Sequence, residues 1–157
     1  MKINLRLANL ADLDLYYRWA RDPEVRKQSF NQNEISFEEH STWYKSKLND
    51  KETTLYVFEN ESAEVVGQLR FQLNNEEYVA GLNVDPDHRS MGYAREIVRM
   101  GSDEFMKNDP QLPIVAYIKK TNKPSFNSFK NAGYIVVNEM CIYDVLVNKM
   151  ILINKTS

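Results

Sequence analysis

The sequence predicts an α/β (α+β) fold: one domain over residues 1–157, with a mixed, mostly antiparallel sheet, helices on both faces and one parallel strand pair. Three observations carry this. Residues 65–73 and 78–84 read as strands joined by Asn74-Asn75, a hairpin turn signal. Residues 78–84 then enter a polar turn containing Gly92 and an amphipathic helix before a second apolar strand at 114–118, and a helix between two strands makes such a pair parallel. A strand and two helical patterns precede the hairpin, and a short helix and two strands close the chain. At 157 residues the chain is long enough for one stable core.

In chain order, Ile3, Leu5 and Leu7 alternate with Lys2, Asn4 and Arg6, as in a half-buried strand. Asn9 and Asp12 resemble a helix start, and Leu13, Tyr16, Tyr17 and Ala20 follow at helical spacing. Arg21-Asp22-Pro23 ends that helix, because proline turns its predecessor away from helical dihedrals. Residues 24–33 read as a polar segment. Ser36 and Glu39 have the spacing of a capping box; Phe37, Ser41, Tyr44 and Leu48 line one face of the helix that follows, with His40, Trp43 and Lys47 beside it. Residues 53–58 are rich in β-branched and aromatic side chains, as in a strand. Ala94, Ile97, Val98, Gly101 and Phe105 form one face of the later helix, which breaks at Asn108-Asp109-Pro110. Residues 124–131 make a short helix ended by Ala132-Gly133. Closing strands are expected at 134–137 and 141–147, and the apolar tail 150–153 as an edge strand or a dimer contact.

Composition excludes several classes. Hydrophobic residues at 43% and charged residues at 27% describe a soluble globular protein. A net charge of −2 gives no global basic field, so nucleic acid is not expected as a partner and any phosphate site is local. No apolar run is long enough to span a membrane, Arg6, Asp12 and Asp14 interrupt any signal-peptide core, and the single cysteine, Cys141, forms no internal disulfide. A cytoplasmic protein is expected.

The chain is organised around residues 79–94. A strand ends at Asp85-Pro86, and Arg89, Gly92 and Ala94 then open a helix as Arg-x-x-Gly-x-Ala. Unpaired backbone N–H groups at the positive end of a helix dipole bind anions, phosphate above all. An isolated match of this kind is ordinarily a helix start with glycine for the turn. No P-loop and no Gly-x-Gly-x-x-Gly is present. Downstream, however, come Asn122-Lys123-Pro124-Ser125 and then Gly133-Tyr134.

With both motifs in this order, the chain resembles the GCN5-related N-acetyltransferases, the GNAT superfamily. Their Gln/Arg-x-x-Gly-x-Gly/Ala signature is matched by Arg89, Gly92 and Ala94, and their Asn-x-x-Ser … Gly-Phe/Tyr pattern by Asn122, Ser125, Gly133 and Tyr134. The resemblance implies a GNAT-type domain whose one parallel strand pair is splayed around acetyl-CoA as donor, with no metal. Backbone N–H groups of Arg89, Ser90, Met91, Gly92, Tyr93 and Ala94 would hold the pyrophosphate, and a side chain at Gly92 would block its approach. The backbone of Leu82–Val84 would pair with the pantetheine arm, and Asn122 and Ser125 would contact its other side. The N–H of Val84 would stabilise the developing oxyanion.

Transfer in this superfamily is by direct attack of an amine, so Cys141 reads as a buried strand residue and not a nucleophile. An alkyl amine titrates near about 10.4, so a base or water chain must take its proton. Many relatives carry a tyrosine four residues before the second motif's glycine as acid for the thiolate; this chain has Phe129 there. CoA thiol, titrating near about 8.5, tolerates leaving as thiolate. Tyr117, Tyr134 and Tyr143 are substitutes that the sequence does not rank.

On the acceptor side stands the polar segment Arg26-Lys27-Gln28-Ser29-Phe30-Asn31. His40 and Trp43 share a helical face, the indole serving either the core or a stacked sugar or base. Gln68 and Arg70 share one face of their strand, and Asn83 lies with Gly81 on a face of the next; a polar row within a covered sheet suits a cleft for the acceptor. Arg6, Trp19, Asp22, Val25, Arg26, Ser29, Phe30, His40 and Trp43 also resemble a narrower group, acetyltransferases of nucleotide-linked amino-sugars such as the pseudaminic acid pathway enzyme. In that reading Arg26 meets the diphosphate and Trp43 stacks on sugar or base. The other acceptors considered are a protein N-terminal amine or a polyamine, and the reading from another class is an acyl-CoA-binding module without turnover.

Overall fold

A computed structural model describes residues 2–28 and 34–153. Its strands are β1 (Ile3–Leu7), β2 (Thr53–Asn60), β3 (Val65–Asn74), β4 (Glu77–Val84), β5 (Ile114–Lys119), β6 (Tyr134–Ile142) and β7 (Val145–Leu152). The helices are α1 (Leu13–Arg21), α2 (Pro23–Gln28), α3 (Phe37–Leu48), α4 (Tyr93–Met106) and α5 (Lys123–Asn131). The strands form one sheet in the order β1-β2-β3-β4-β5-β7-β6, in which only β4 and β5 run parallel. The hairpin forms as expected, but its turn falls one residue later than Asn74-Asn75: Asn74 is the last residue of β3, and Asn75 and Glu76 have φ of 49° and 66°, the positive pair that matches strand twist in a tight hairpin.

Local chemistry sets the helix starts. Asn9 accepts a hydrogen bond from the backbone N–H of Ala11 and Asp12 accepts one from that of Asn9, capping a 3-10 turn that leads into α1. Ser36 accepts from the backbone N–H of Glu39 at 3.1 Å to start α3. Residues 24–33 were expected as a polar segment, yet α2 forms at once: Asp22 caps the N–H of Val25 at 3.2 Å and Pro23 occupies the first helical position, where its missing N–H costs nothing.

The two sheet faces carry separate cores. On one, α4 and α5 bury Ile97, Val98, Phe105 and Phe129 with Phe58, Leu69, Phe71 and Met150. Gly101 lets α4 lie close, since a Cβ there would stand 2.5 Å from Leu69 Cδ2. On the other, α1 and α3 bury Tyr16, Trp19 and Tyr44 over Leu55 and Val57. Phe37, on the same helical face as Tyr44 by spacing, is exposed.

The C-terminal expectation needs two corrections. The turn lies at Tyr143-Asp144, both with positive φ, so Cys141 belongs to β6 and not to a strand over 141–147. Nor is the tail an edge: Met150, Ile151 and Leu152 lie on β7, between β5 and β6, and Met150 is fully buried.

Candidate functional site

β4 and β5 part company inside the sheet. They pair only at Tyr78 with Ile114 and Val79 with Val115, although β4 continues to Val84 and β5 to Lys119. Tyr78 donates its N–H toward the β5 side, to Pro113 O at 2.8 Å, while Asp85 donates to Val66 O on the β3 side. Strand alternation therefore aims the N–H groups of Ala80, Leu82 and Val84 into the opening. The opening is part of a cleft of about 1600 Å³.

At its mouth, Ser90 (φ 61°) and Gly92 (φ 86°) turn the chain through left-handed conformations into α4, leaving its first N–H groups uncapped by a side chain. Ser90, Met91 and Gly92 are exposed, Tyr93 and Ala94 half-buried. The Arg89 guanidinium is bound to Asp22 at 2.5 Å, so this residue's backbone faces the turn while its side chain ties the turn to the α1–α2 junction. On the β5 side, Asn122 accepts the N–H of Ser125 at 3.3 Å: the Asn-x-x-Ser spacing makes the N-cap of α5, and both residues line the cleft. An uncapped helix start, a freed strand edge and a facing cap fit the phosphates and amides of CoA.

Asp85, which sequence reasoning did not single out, knits this region together. Its buried carboxylate accepts hydrogen bonds from Trp19 Nε1 at 2.8 Å, the Arg18 guanidinium, the Asp87 N–H at 3.2 Å and, at 2.9 Å, pairs with His88 Nδ1. Burial alone would raise its pKa, but the bonds from Trp19, His88 and Arg18 outweigh burial and hold it below the ordinary carboxylate range. Trp19 is thus a core residue bonded to Asp85, and does not line the cleft.

Another part of the cleft is lined by Gln68 and Arg70 of β3, Gly81 and Asn83 of β4, His40 and Trp43 of α3, and Arg26 of α2. Gln68 pairs with Asn83 and Arg70 with Gly81 in the ladder. A Cβ at Gly81 would stand 3.2 Å from Arg70, so glycine makes room for the guanidinium. That group lies over the Trp43 ring at 5.8 Å. Burial depresses the Arg70 pKa, and no carboxylate among the described residues lies within ion-pair distance. His40 is buried among Tyr17, Trp43 and Tyr44, with its pKa lowered by burial, so the ring is neutral. Ser29, Phe30 and Asn31 lie outside the described residues.

The tyrosine candidates separate. Tyr117 lines the cleft, its hydroxyl donating to Glu77, which also binds Lys149 at 2.8 Å. Burial and the Glu77 bond raise the phenol's pKa. Tyr134 is withdrawn from the site: it is buried against Phe129 with ring centroids 4.9 Å apart, bonds Ser102 Oγ at 3.0 Å and does not line the cleft. Phe129 itself is core. Tyr143 is exposed in the β6–β7 turn, outside the cleft. Cys141, expected to be buried, is exposed on β6 and does not line the cleft. Tyr16 and Glu77 also line the cleft, which their sequence context does not signal, since one fits a helical core stripe and the other a turn. Among the described residues no group of three or more His, Cys, Asp or Glu side chains is arranged to hold a metal, and no helix is long and apolar enough to cross a membrane.

A family model for the acetyltransferase (GNAT) domain matches residues 2–135. Among solved structures, the spermidine N-acetyltransferase from Vibrio cholerae in complex with CoA and spermine is similar with a TM-score of 0.83 at 16% identity, over 96% of this chain and 94% of that one. A chimeric form of the same enzyme gives 0.80 at 16% identity over 97% and 95%. A spermidine/spermine N-acetyltransferase from Vibrio cholerae in complex with manganese ions gives 0.76 at 17% identity over 96% and 92%. No curated protein sequence matches at a significant level.

Proposed function

Because the chain belongs to the GNAT acetyltransferase family, we propose that it transfers an acetyl group from acetyl-CoA to the primary amine of a small molecule by direct attack at the parting of β4 and β5. The carrying observation is that pairing of β4 and β5 stops after Val79 and Val115, freeing the β4 edge beside the α4 N-terminus. In this reading, backbone N–H groups from Arg89 to Ala94 bind the pyrophosphate, and those of Leu82 and Val84 pair with the donor, the Val84 group facing the carbonyl oxygen as negative charge develops. Asn122 and Ser125 border the arm from the α5 side. Acetyl-CoA supplies the activated acetyl group. Tyr117 is the acid candidate left in the cleft, with Glu77 fixing its hydroxyl.

The acceptor has two readings. The solved structures named above are of spermidine acetyltransferases, which supports a polyamine over a nucleotide-linked amino-sugar. One feature of this chain favours the second: the Arg70 cation over Trp43 opposes a polycation and suits an acceptor bearing acceptor oxygens. Release of CoA thiol decides between them, measured in a Cys141→Ser background because the exposed thiol would react with the same reagent. The panel is spermidine, a UDP-linked amino-hexose and a peptide with a free N-terminus. At least one small-molecule amine should raise release above the acceptor-free rate. If none of the panel does so while acetyl-CoA still binds, the protein is an acyl-CoA-binding module without turnover.

A further inference from the structure

Three buried polar atoms of the cleft wall have no hydrogen-bond partner among the described residues: Tyr16 Oη, His40 Nε2 and Gln68 Oε1. Their residues are 5%, 3% and 4% exposed, and all three line the cleft. Buried polar groups in folded proteins are almost always paired, and an orphan costs stability. Three on one wall, beside the Arg70 guanidinium on Trp43, point to a ligand that satisfies them.

The chemistry of the wall restricts that ligand. Gln68 Oε1 needs a donor, and Arg70 offers only donors and so needs an oxygen acceptor. Tyr16, held neutral by burial, and the neutral His40 ring take either role or present one nitrogen of each kind. Hydroxyl groups donate and accept at once. Ammonium groups only donate, and they would meet Arg70 as a like charge. The Trp43 ring offers a flat apolar surface.

Resting on the transferase reading above, we infer that Tyr16, His40, Gln68 and Arg70 recognise the hydroxyl groups of a polyhydroxylated amine whose carbon skeleton lies on Trp43. The neighbours' polyamine chemistry would then differ from that of this chain at this wall, and Tyr16 and Gln68 become specificity-determining residues.

The test compares glucosamine, free and UDP-linked, with cyclohexylamine and spermidine. Wild-type kcat/KM for one glucosamine form should exceed that for cyclohexylamine and spermidine by about 100-fold or more, as expected where buried groups pair with substrate hydroxyls. Tyr16→Phe and Gln68→Leu should each reduce that value by about tenfold, the worth of one hydrogen bond. Acetyl-CoA affinity should not change. The Tm of the free protein should hold or rise in Tyr16→Phe, because an unpaired hydroxyl is removed. Preference for spermidine or cyclohexylamine overturns the inference, as does unchanged kcat/KM in both variants, or a fall in Tm with acceptor kinetics intact. If no amine is acetylated, the transferase reading fails separately. Binding of glucosamine to the protein–CoA complex, read as a shift in Tm that Tyr16→Phe abolishes, still decides this inference; no shift overturns it.

Discussion

Replacing Asp85 with alanine removes the joint between helix α1 and the turn that leads to the α4 N-terminus. Trp19 Nε1, buried at 1% exposure, loses its carboxylate, and a buried donor left unsatisfied costs about 1–3 kcal/mol. The Asp87 N–H loses the capping oxygen of a 3-10 turn, about 1 kcal/mol. Arg18 is 58% exposed, so its ion pair contributes at most about 1 kcal/mol after solvent screening. Together these give about 2–5 kcal/mol, and at roughly 2–4 °C per kcal/mol for a chain of this size the Tm should fall by about 10 °C. Differential scanning calorimetry measures it. A fall smaller than about 2 °C would refute the assigned role, because one unsatisfied indole already costs more. The Asp85 carboxylate also titrates below its ordinary range in the folded protein. Its stabilisation is therefore complete above the unfolded pKa near about 3.9 and is lost as pH falls through the folded value. Asp85→Asn, which keeps an oxygen for Trp19 but no charge, should show a shallower loss of Tm on acidification than the wild type.

Two further substitutions test the division between core and site. Tyr134→Phe removes the bond to Ser102, so Tm should fall by about 2–4 °C while CoA release is unchanged; a lost turnover would return Tyr134 to the chemistry. Gly101→Ala forces a methyl to within 2.5 Å of Leu69 Cδ2, so overpacking should cost about 1–3 kcal/mol in urea denaturation, and a neutral result would mean that α4 stands off the sheet.

How much of this was readable from the sequence depends on how local each signal is. Asn75 tolerates positive φ and opens the hairpin turn, whose second residue is Glu76 and not Asn74. Residues 79–94 carried a strand, a proline, a glycine and a helix in one contiguous stretch, and the structure folds them that way. The alternation of Gln68 and Arg70 pointed to a polar wall, and both side chains line the cleft. The failures are tertiary. Nothing local distinguishes Tyr16 in a core stripe from Tyr16 at the end of a cleft. The β6–β7 turn at Tyr143-Asp144 uses no glycine, whereas Asn138 within β6 imitates a turn signal and sits beside a register shift. Strand order puts β7 between β5 and β6, which no periodicity reveals. Asp22-Pro23 both stops one helix and starts the next, and the stop signal alone is local.

The central claim is that the turn at Gly92 and the freed edge of β4 hold acetyl-CoA. Isothermal titration of acetyl-CoA into wild-type protein and Gly92→Val, with a thermal melt to establish that the variant is folded, tests it most directly. A β-branched side chain at φ 86° both strains the turn and fills the approach to the first N–H groups of α4. The account predicts a folded variant whose Kd for acetyl-CoA is weakened by roughly 100-fold or more, about 2.7 kcal/mol. A folded Gly92→Val protein that binds acetyl-CoA with wild-type affinity would contradict it.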